Sequence, residues 1–148
     1  MTAPHAPKNI VLYAEDDADD QQLVRDAFVS YAENVELRIV NHGLDALIYL
    51  RSLSPLDPAP CLIILDINMP KLDGKETLKR IRSIEKLKEI PVVIFTTSVS
   101  PLDKEFARMY GAGFITKPLN ESQMEIITDE FIEHCAEEVR KNISRKIK

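Results

Sequence analysis

The sequence predicts a single three-layer α/β domain in which parallel strands alternate with crossover helices, and three observations carry that expectation. Short apolar runs alternate with amphipathic stretches along most of the chain. Three of the runs, Ile10-Val11-Leu12-Tyr13, Leu62-Ile63-Ile64-Leu65 and Val92-Val93-Ile94-Phe95, are apolar on both faces, as strands covered by helices on each side must be. The length, 148 residues with 45% hydrophobic, suits one core and leaves little room for a second.

The first strand is expected over residues 9–14, followed by a helical stripe of Leu23, Val24, Ala27 and Phe28. A second strand over 36–40 leads to a helix marked by Leu44, Leu47, Ile48 and Leu50. The Pro-rich stretch 54–60 reads as a surface loop, after which comes a third strand, 62–66, and a helix carrying Leu78 and Ile81. The fourth strand spans 92–96. Ser100 then supplies an N-cap, Pro101 fits the first helical position, and Gly111 ends that helix at a residue tolerant of positive φ. A fifth strand over 114–116 precedes Asn120 and Gln123, which have the spacing of a capping box for the last helix. From Met124 the apolar positions Ile127, Phe131, Cys135, Val139, Ile143 and Ile147 recur every three or four residues, so one helical face is expected to continue to the C-terminus. Right-handed crossovers then place the functional crevice at the carboxyl ends of the strands.

Nineteen Lys and Arg against 24 Asp and Glu leave a net charge of −5, which disfavours binding to the DNA backbone. Five of those bases lie in residues 139–148, which hold no acid, so residues 1–138 carry −10. The acids themselves bunch: five of the six residues from Glu15 to Asp20 are acidic. Cys61 and Cys135 stand 74 positions apart in apolar surroundings and read as two buried thiols, neither a disulfide framework nor a CxxC site. His5, His42 and His134 lack metal-ligand spacing. No signal-like N-terminus is present and no apolar run nears the ~20 residues that span a bilayer, so a cytoplasmic protein with no membrane contact is expected.

The expected strand ends carry chemistry. The first runs into Glu15-Asp16-Asp17 and the third into Asp66-Ile67-Asn68-Met69-Pro70; the fourth ends in Thr96-Thr97-Ser98 and the fifth is followed by Lys117-Pro118. Taken singly each has a bland reading: acids before a helix cap it and offset its dipole, which is where Asp19 and Asp20 belong, and a strand-end Thr is usually structural. Together they describe one site. If Glu15, Asp16 and Asp66 converge, their repulsion is roughly 1 to 4 kcal/mol per pair at ~4 Å, a cost that calls for a cation. Oxygen ligands without His or Cys favour Mg²⁺, with Mn²⁺ as a substitute. A carboxylate beside such an ion, an amine and a hydroxyl could act as a nucleophile toward a phosphoryl group, and Asp66, at the end of a central strand, is better placed for that than Asp16.

These residues resemble the receiver domain of two-component response regulators. The likeness covers about residues 8–133 and rests on Glu15-Asp16, Asp66, Met69-Pro70, Asp73-Gly74, Thr96 and Lys117-Pro118. It implies a flavodoxin-like, doubly wound sheet of five parallel strands in the order 2-1-3-4-5. It also implies roles: Asp66 as phosphoacceptor, Asp16 as a direct Mg²⁺ ligand, Glu15 as a ligand through water and the Asn68 carbonyl as a third protein ligand. Thr96 and Lys117 would hold phosphoryl oxygens. Phe114 would turn inward as Thr96 moves, and Asp73 and Gly74 would form a turn. Phosphate would come from the phosphohistidine of a sensor histidine kinase or a phosphotransfer protein, and the domain would catalyse its own phosphorylation and dephosphorylation rather than act as a conventional enzyme.

Two positions depart from the common pattern. Thr97 replaces a small residue and would narrow the approach to Asp66, and Phe114 lacks a tyrosine hydroxyl, leaving a switch surface of Ile94, Phe106, Tyr110 and Phe114 more apolar. The wording Phe95-Thr96-Thr97-Ser98 with Ile115-Thr116-Lys117-Pro118 is most similar to single-domain regulators associated with bacterial phytochrome kinases. Three segments are therefore expected: a tail at 1–7, a receiver at 8–133 and a basic helical extension at 134–148, with no room for an output domain. The long apolar stripe suggests a homodimer through the fourth and fifth helices and the fifth strand. Two other functions fit less well. A Mg²⁺-dependent phosphohydrolase of small esters usually has a second acid where Asn68 stands, and a nucleotide or flavin binder wants a Gly-rich or hydroxyl-rich loop where the acids stand. A place within a phosphorelay is a variant of the main reading.

Overall fold

A computed structural model describes residues 8–118 and 120–143. The strands β1 (Asn9–Ala14), β2 (Val35–Val40), β3 (Leu62–Leu65), β4 (Val92–Thr96) and β5 (Gly113–Thr116) form one parallel sheet in the order β2-β1-β3-β4-β5. Between and after them lie α1 (Ala18–Phe28), α2 (Gly43–Ser52), α3 (Gly74–Ser83), α4 (Pro101–Met109), α5 (Glu121–Glu133) and a single-turn α6 (Glu137–Arg140).

The three doubly apolar runs are the three central strands, and every residue of β3 and β4 is buried. Strand alternation divides the core in two. Val11, Tyr13, Leu62, Ile64, Val93 and Phe95 meet Val24 and Phe28 of α1 and Met124 and Phe131 of α5. Leu12, Ala14, Ile63, Leu65 and Ile94 meet Leu47 and Leu50 of α2, Leu78 and Ile81 of α3 and Ala107 of α4. Each such Val, Leu, Ile, Phe or Met side chain contributes about 1.5–3 kcal/mol on burial, which is what fixes the helices on the sheet.

Caps set the helix ends. Asp17 opens α1 by accepting from the Asp20 N–H, Asp73 opens α3 by accepting from the Glu76 N–H, Ser100 accepts from the Leu102 N–H, and Asn120 accepts from the Gln123 N–H. Gly111 takes φ 65° beyond α4, as expected. Gly74 is required for a different reason from the expected turn: a Cβ there would stand 2.0 Å from the Asp66 carbonyl oxygen, so close approach bars a side chain. Arg82, at the end of α3, donates to the carbonyls of Tyr110 (2.7 Å), Ile90 (2.7 Å), Lys88 (3.0 Å) and Gly111 (3.2 Å), joining α3 to the segments flanking β4 and α4.

Three expectations are corrected. Of the expected α2 stripe, Leu47 and Leu50 are buried, but Leu44 and Ile48 are 40% and 58% exposed, and Ala46 takes their place on the inward face. The last helix does not run on: α5 stops at Glu133, the chain turns at His134–Ala136, and α6 starts again at Glu137. The apolar spacing past residue 133 reflects packing on the protein's own core, because Cys135 is buried there and Val139 and Ile143 pack against the same cluster. Cys61 is half-buried, not buried, and its Sγ lies 3.8 Å from that of Cys135. The tail 1–7 and the end 144–148, which includes Arg145, Lys146, Ile147 and Lys148, lie outside the described residues.

Candidate functional site

Parallel pairing brings the carboxyl ends of all five strands to one edge, and the residues just past those ends are still held by neighbouring strands. The Glu15 N–H donates to the Val40 carbonyl at 3.0 Å, the Asp66 N–H to Ala14 at 3.3 Å and the Lys117 N–H to Thr96 at 2.8 Å. Side chains leaving these positions therefore start from a fixed frame.

Glu15, Asp16 and Asp66 converge, each offering one carboxylate oxygen within 4.8 Å of the others. Opposite them, the Lys117 ammonium donates to Glu15 Oε1, to Asp20 Oδ2 at 2.7 Å and to Asp66 Oδ2 at 3.0 Å. The remaining Asp66 oxygen, Oδ1, accepts from the Ile67 N–H at 2.7 Å, so both oxygens of this carboxylate are oriented. The Tyr13 hydroxyl donates to Glu15 Oε1 at 3.1 Å, and the Asp17 N–H donates to Glu15 Oε2 at 3.2 Å. Gln21 reaches from α1 to the Glu15 carbonyl (2.6 Å) and to Asn41 (3.0 Å), tying the loop after β1 to the loop after β2.

The electrostatics follow from burial. Glu15 is 1% exposed, and loss of water pushes its carboxyl up to about 7, against the pull of the Lys117 ammonium. For Lys117 burial acts downward, but its hydrogen bonds to Asp20 and Glu15 and the charge of Asp66 prevail and hold the ammonium above its ordinary range. Burial, then the neighbouring Glu15 charge, raise the Tyr13 phenol as well.

Two of these partners were missed. Asp20 reads as a dipole-offsetting acid, and Tyr13 as an apolar strand residue. The signal for Asp20 was its place three residues after the Asp17 cap, from which a helical side chain leans back toward the N-terminus and the strand ends.

Thr96, fully buried, ends β4, and its Oγ1 accepts from the Ser98 N–H at 3.3 Å. Ser98 Oγ donates to Asp103 Oδ2 of α4 at 2.5 Å, while Lys75 of α3 pairs with Asp103 Oδ1. A chain of contacts thus runs from Thr96 through α4 to α3. Hydrogen bonds from Lys75 and Ser98 hold the Asp103 carboxyl below its ordinary range. Asn68 is exposed two residues past Asp66, Thr97 is exposed at the end of β4, and Phe114 is half-buried on β5 against the α2–α4 side of the core, with the Lys104 ammonium 6.0 Å from its ring centre.

Chemically, three hard oxygen donors with no His or Cys among them fit Mg²⁺ or Mn²⁺. A fixed carboxylate with an ammonium 3.0 Å away also suits attack on a phosphoryl group, whose charge the amine offsets.

The family model described as response regulator receiver domain matches residues 11–129. The chain is 39% identical over 100 residues to the response regulator Rcp1 of Synechocystis sp., covering 66% of this chain and 68% of that one. It is 30% identical over 115 residues to the polar-differentiation response regulator DivK of Brucella anthropi, covering 77% and 87%. Among solved structures it is similar to the phosphorylated cyanobacterial phytochrome response regulator RcpA, with a TM-score of 0.77, 31% identity and coverage of 88% and 98%. The Mn²⁺-bound form of Rcp1 gives a TM-score of 0.73 at 33% identity, covering 83% and 93%.

Proposed function

The chain belongs to the response regulator receiver family, and from that premise we propose that Asp66 is the aspartate on which it takes up phosphate. Receiver domains accept a phosphoryl group on an aspartate, hold Mg²⁺ or Mn²⁺ in an acidic pocket and work with histidine kinases or phosphotransfer proteins. The observation that carries the assignment is the meeting of Glu15, Asp16, Asp66 and the Lys117 ammonium at one sheet edge.

In this reading an Asp66 oxygen attacks the phosphorus of a donor phosphohistidine, the P–N bond breaks, and the imidazole leaves with the bonding electrons. Lys117 and the Ile67 N–H keep the carboxylate plane fixed while this occurs. Asp16 and Glu15, with the Asn68 carbonyl, would hold the divalent ion, which would offset the charge of the acids and of the incoming phosphoryl oxygens. Thr96 takes a phosphoryl oxygen, and Phe114 repositions with it. The same site hydrolyses the aspartyl phosphate. Likeness to the cyanobacterial phytochrome response regulator RcpA supports a phytochrome-type sensor kinase as donor.

We assign the receiver to residues 8–133, flanked by a tail at 1–7 and a basic extension at 134–148. We assign it a cytoplasmic location and protein partners rather than DNA or membrane; the −5 net charge supports the reading against DNA. No described helix is long and apolar enough to cross a membrane. A homodimer through α4, β5 and α5 is supported by Val99 beside α4, by Leu102 and Met109 on it and by Ile126 on α5, which are 69%, 79%, 70% and 65% exposed.

Acetyl phosphate or a cognate kinase is expected to label the wild type with Mg²⁺ present and to leave Asp66→Asn unlabelled; Asp16→Asn loses its response to Mg²⁺ together with most labelling. Equal labelling of wild type and Asp66→Asn would place the acceptor elsewhere. Sedimentation at micromolar concentration should detect the dimer, and a strict monomer with and without beryllofluoride removes it.

A further inference from the structure

Cysteine occurs twice in this chain, and the fold brings the two sulfurs, 74 positions apart in sequence, to 3.8 Å. That is contact distance. Cys61 leads into β3 with its N–H bonded to the Ile10 carbonyl at 2.8 Å, and Cys135 lies in the turn after α5 with its N–H on the Ile132 carbonyl at 3.0 Å. Both backbones are therefore held, and the sulfurs need to close by less than about 2 Å to reach bonding distance.

We propose that Cys61 and Cys135 are an oxidation site, forming a reversible intramolecular disulfide when the protein meets a hydroperoxide. The site lies at the amino end of β3, away from the acid cluster at the carboxyl ends, and does not depend on the phosphorylation reading.

The two thiols have different surroundings. Cys61 is half-buried and within reach of a small oxidant, whereas Cys135 is 4% exposed behind it. The Cys135 S–H donates to Cys61 Sγ, and this hydrogen bond draws the Cys61 thiol below its ordinary range, favouring its thiolate. The Cys61 thiolate attacks one peroxide oxygen, the O–O bond breaks, and the leaving hydroxide takes a proton to become water, leaving a sulfenic acid on Cys61. Cys135 then gives up its proton, its sulfur attacks Cys61 Sγ, and the sulfenic oxygen departs as a second water. Two thiols and one hydrogen peroxide become one disulfide and two waters, and a dithiol reductant reverses the change. In a compartment that keeps thiols reduced, such a bond is transient and reports oxidant.

The test is intact mass of the full chain after graded hydrogen peroxide, under non-reducing conditions. The expected result is a monomer lighter by about 2 Da, with both thiols closed to maleimide and reopened by dithiothreitol. Cys135→Ser is expected to halt at a Cys61 sulfenic acid trapped by dimedone, and Cys61→Ser to leave Cys135 unoxidised. The wild-type measurement stands whether or not either variant folds. Persistence of both free thiols, over-oxidation of Cys61 without the mass loss, or covalent dimers would each overturn the proposal.

Discussion

Lys117 faces three carboxylates with a side chain only 7% exposed, while those of Glu15 and Asp66 are 1% and 11% exposed. Removing the ammonium leaves the acids repelling one another in a place water reaches poorly. Lys117→Met is therefore expected to destabilise the metal-free fold by roughly 3–5 kcal/mol. A divalent ion can take over part of the compensation, so Mg²⁺ should raise the melting temperature of the variant more than that of the wild type; thermal unfolding with and without Mg²⁺ checks both. Glu15, Asp16, Asp66 and Lys117 were legible in the sequence because they lie just past expected strands, and a parallel sheet leaves its strand ends together. Asp20 and Tyr13 were not. An acid in the first turn of a helix already has a sufficient local explanation, and a tyrosine in a buried strand looks apolar until its hydroxyl is traced to Glu15.

Among the elements, α3 and α4 are joined by a polar link that sequence spacing does not reveal. Lys75 and Asp103 are 28 positions apart, and each alone reads as an ordinary surface charge, yet Asp103 also takes the Ser98 hydroxyl and so binds the loop after Thr96. Lys75 is 34% exposed, and solvent screens the pair accordingly. A double-mutant cycle of Lys75→Met and Asp103→Asn is expected to give a coupling of about 1 kcal/mol at neutral pH. The pH dependence has a definite sign. The folded-state pKa of Asp103 lies below its ordinary value, so the folded state binds fewer protons and the contribution is complete above the ordinary carboxylate range. It disappears as pH falls through the lowered folded value, and the cycle repeated in acid should return no coupling. By contrast, the ends of α4 were legible, since Ser100, Pro101 and Gly111 act through local backbone chemistry alone.

At the scale of the whole molecule, the apolar positions past α5 pose the question of what they cover. Cys135, Val139 and Ile143 repeat every four residues, a spacing that a straight helix satisfies as well as the observed turn and single-turn α6. Only contacts from distant parts of the chain, among them Cys61 before β3 and Leu37 on β2, decide that these residues close the protein's own core. The two arrangements differ in what a charge would do. If the stripe served only a partner, Val139→Asp with Ile143→Asp would disturb association and leave the melting temperature of a dilute monomer unchanged. Packed on the core, the same pair must put carboxylates against apolar surface, and stability is expected to fall by about 1–3 kcal/mol whatever the protein concentration. Thermal unfolding at two concentrations tenfold apart separates the cases. A dimer held by α4, β5 and α5 would survive the substitution, because the exposed side chains of Leu102, Met109 and Ile126 lie outside the set that Val139 and Ile143 join.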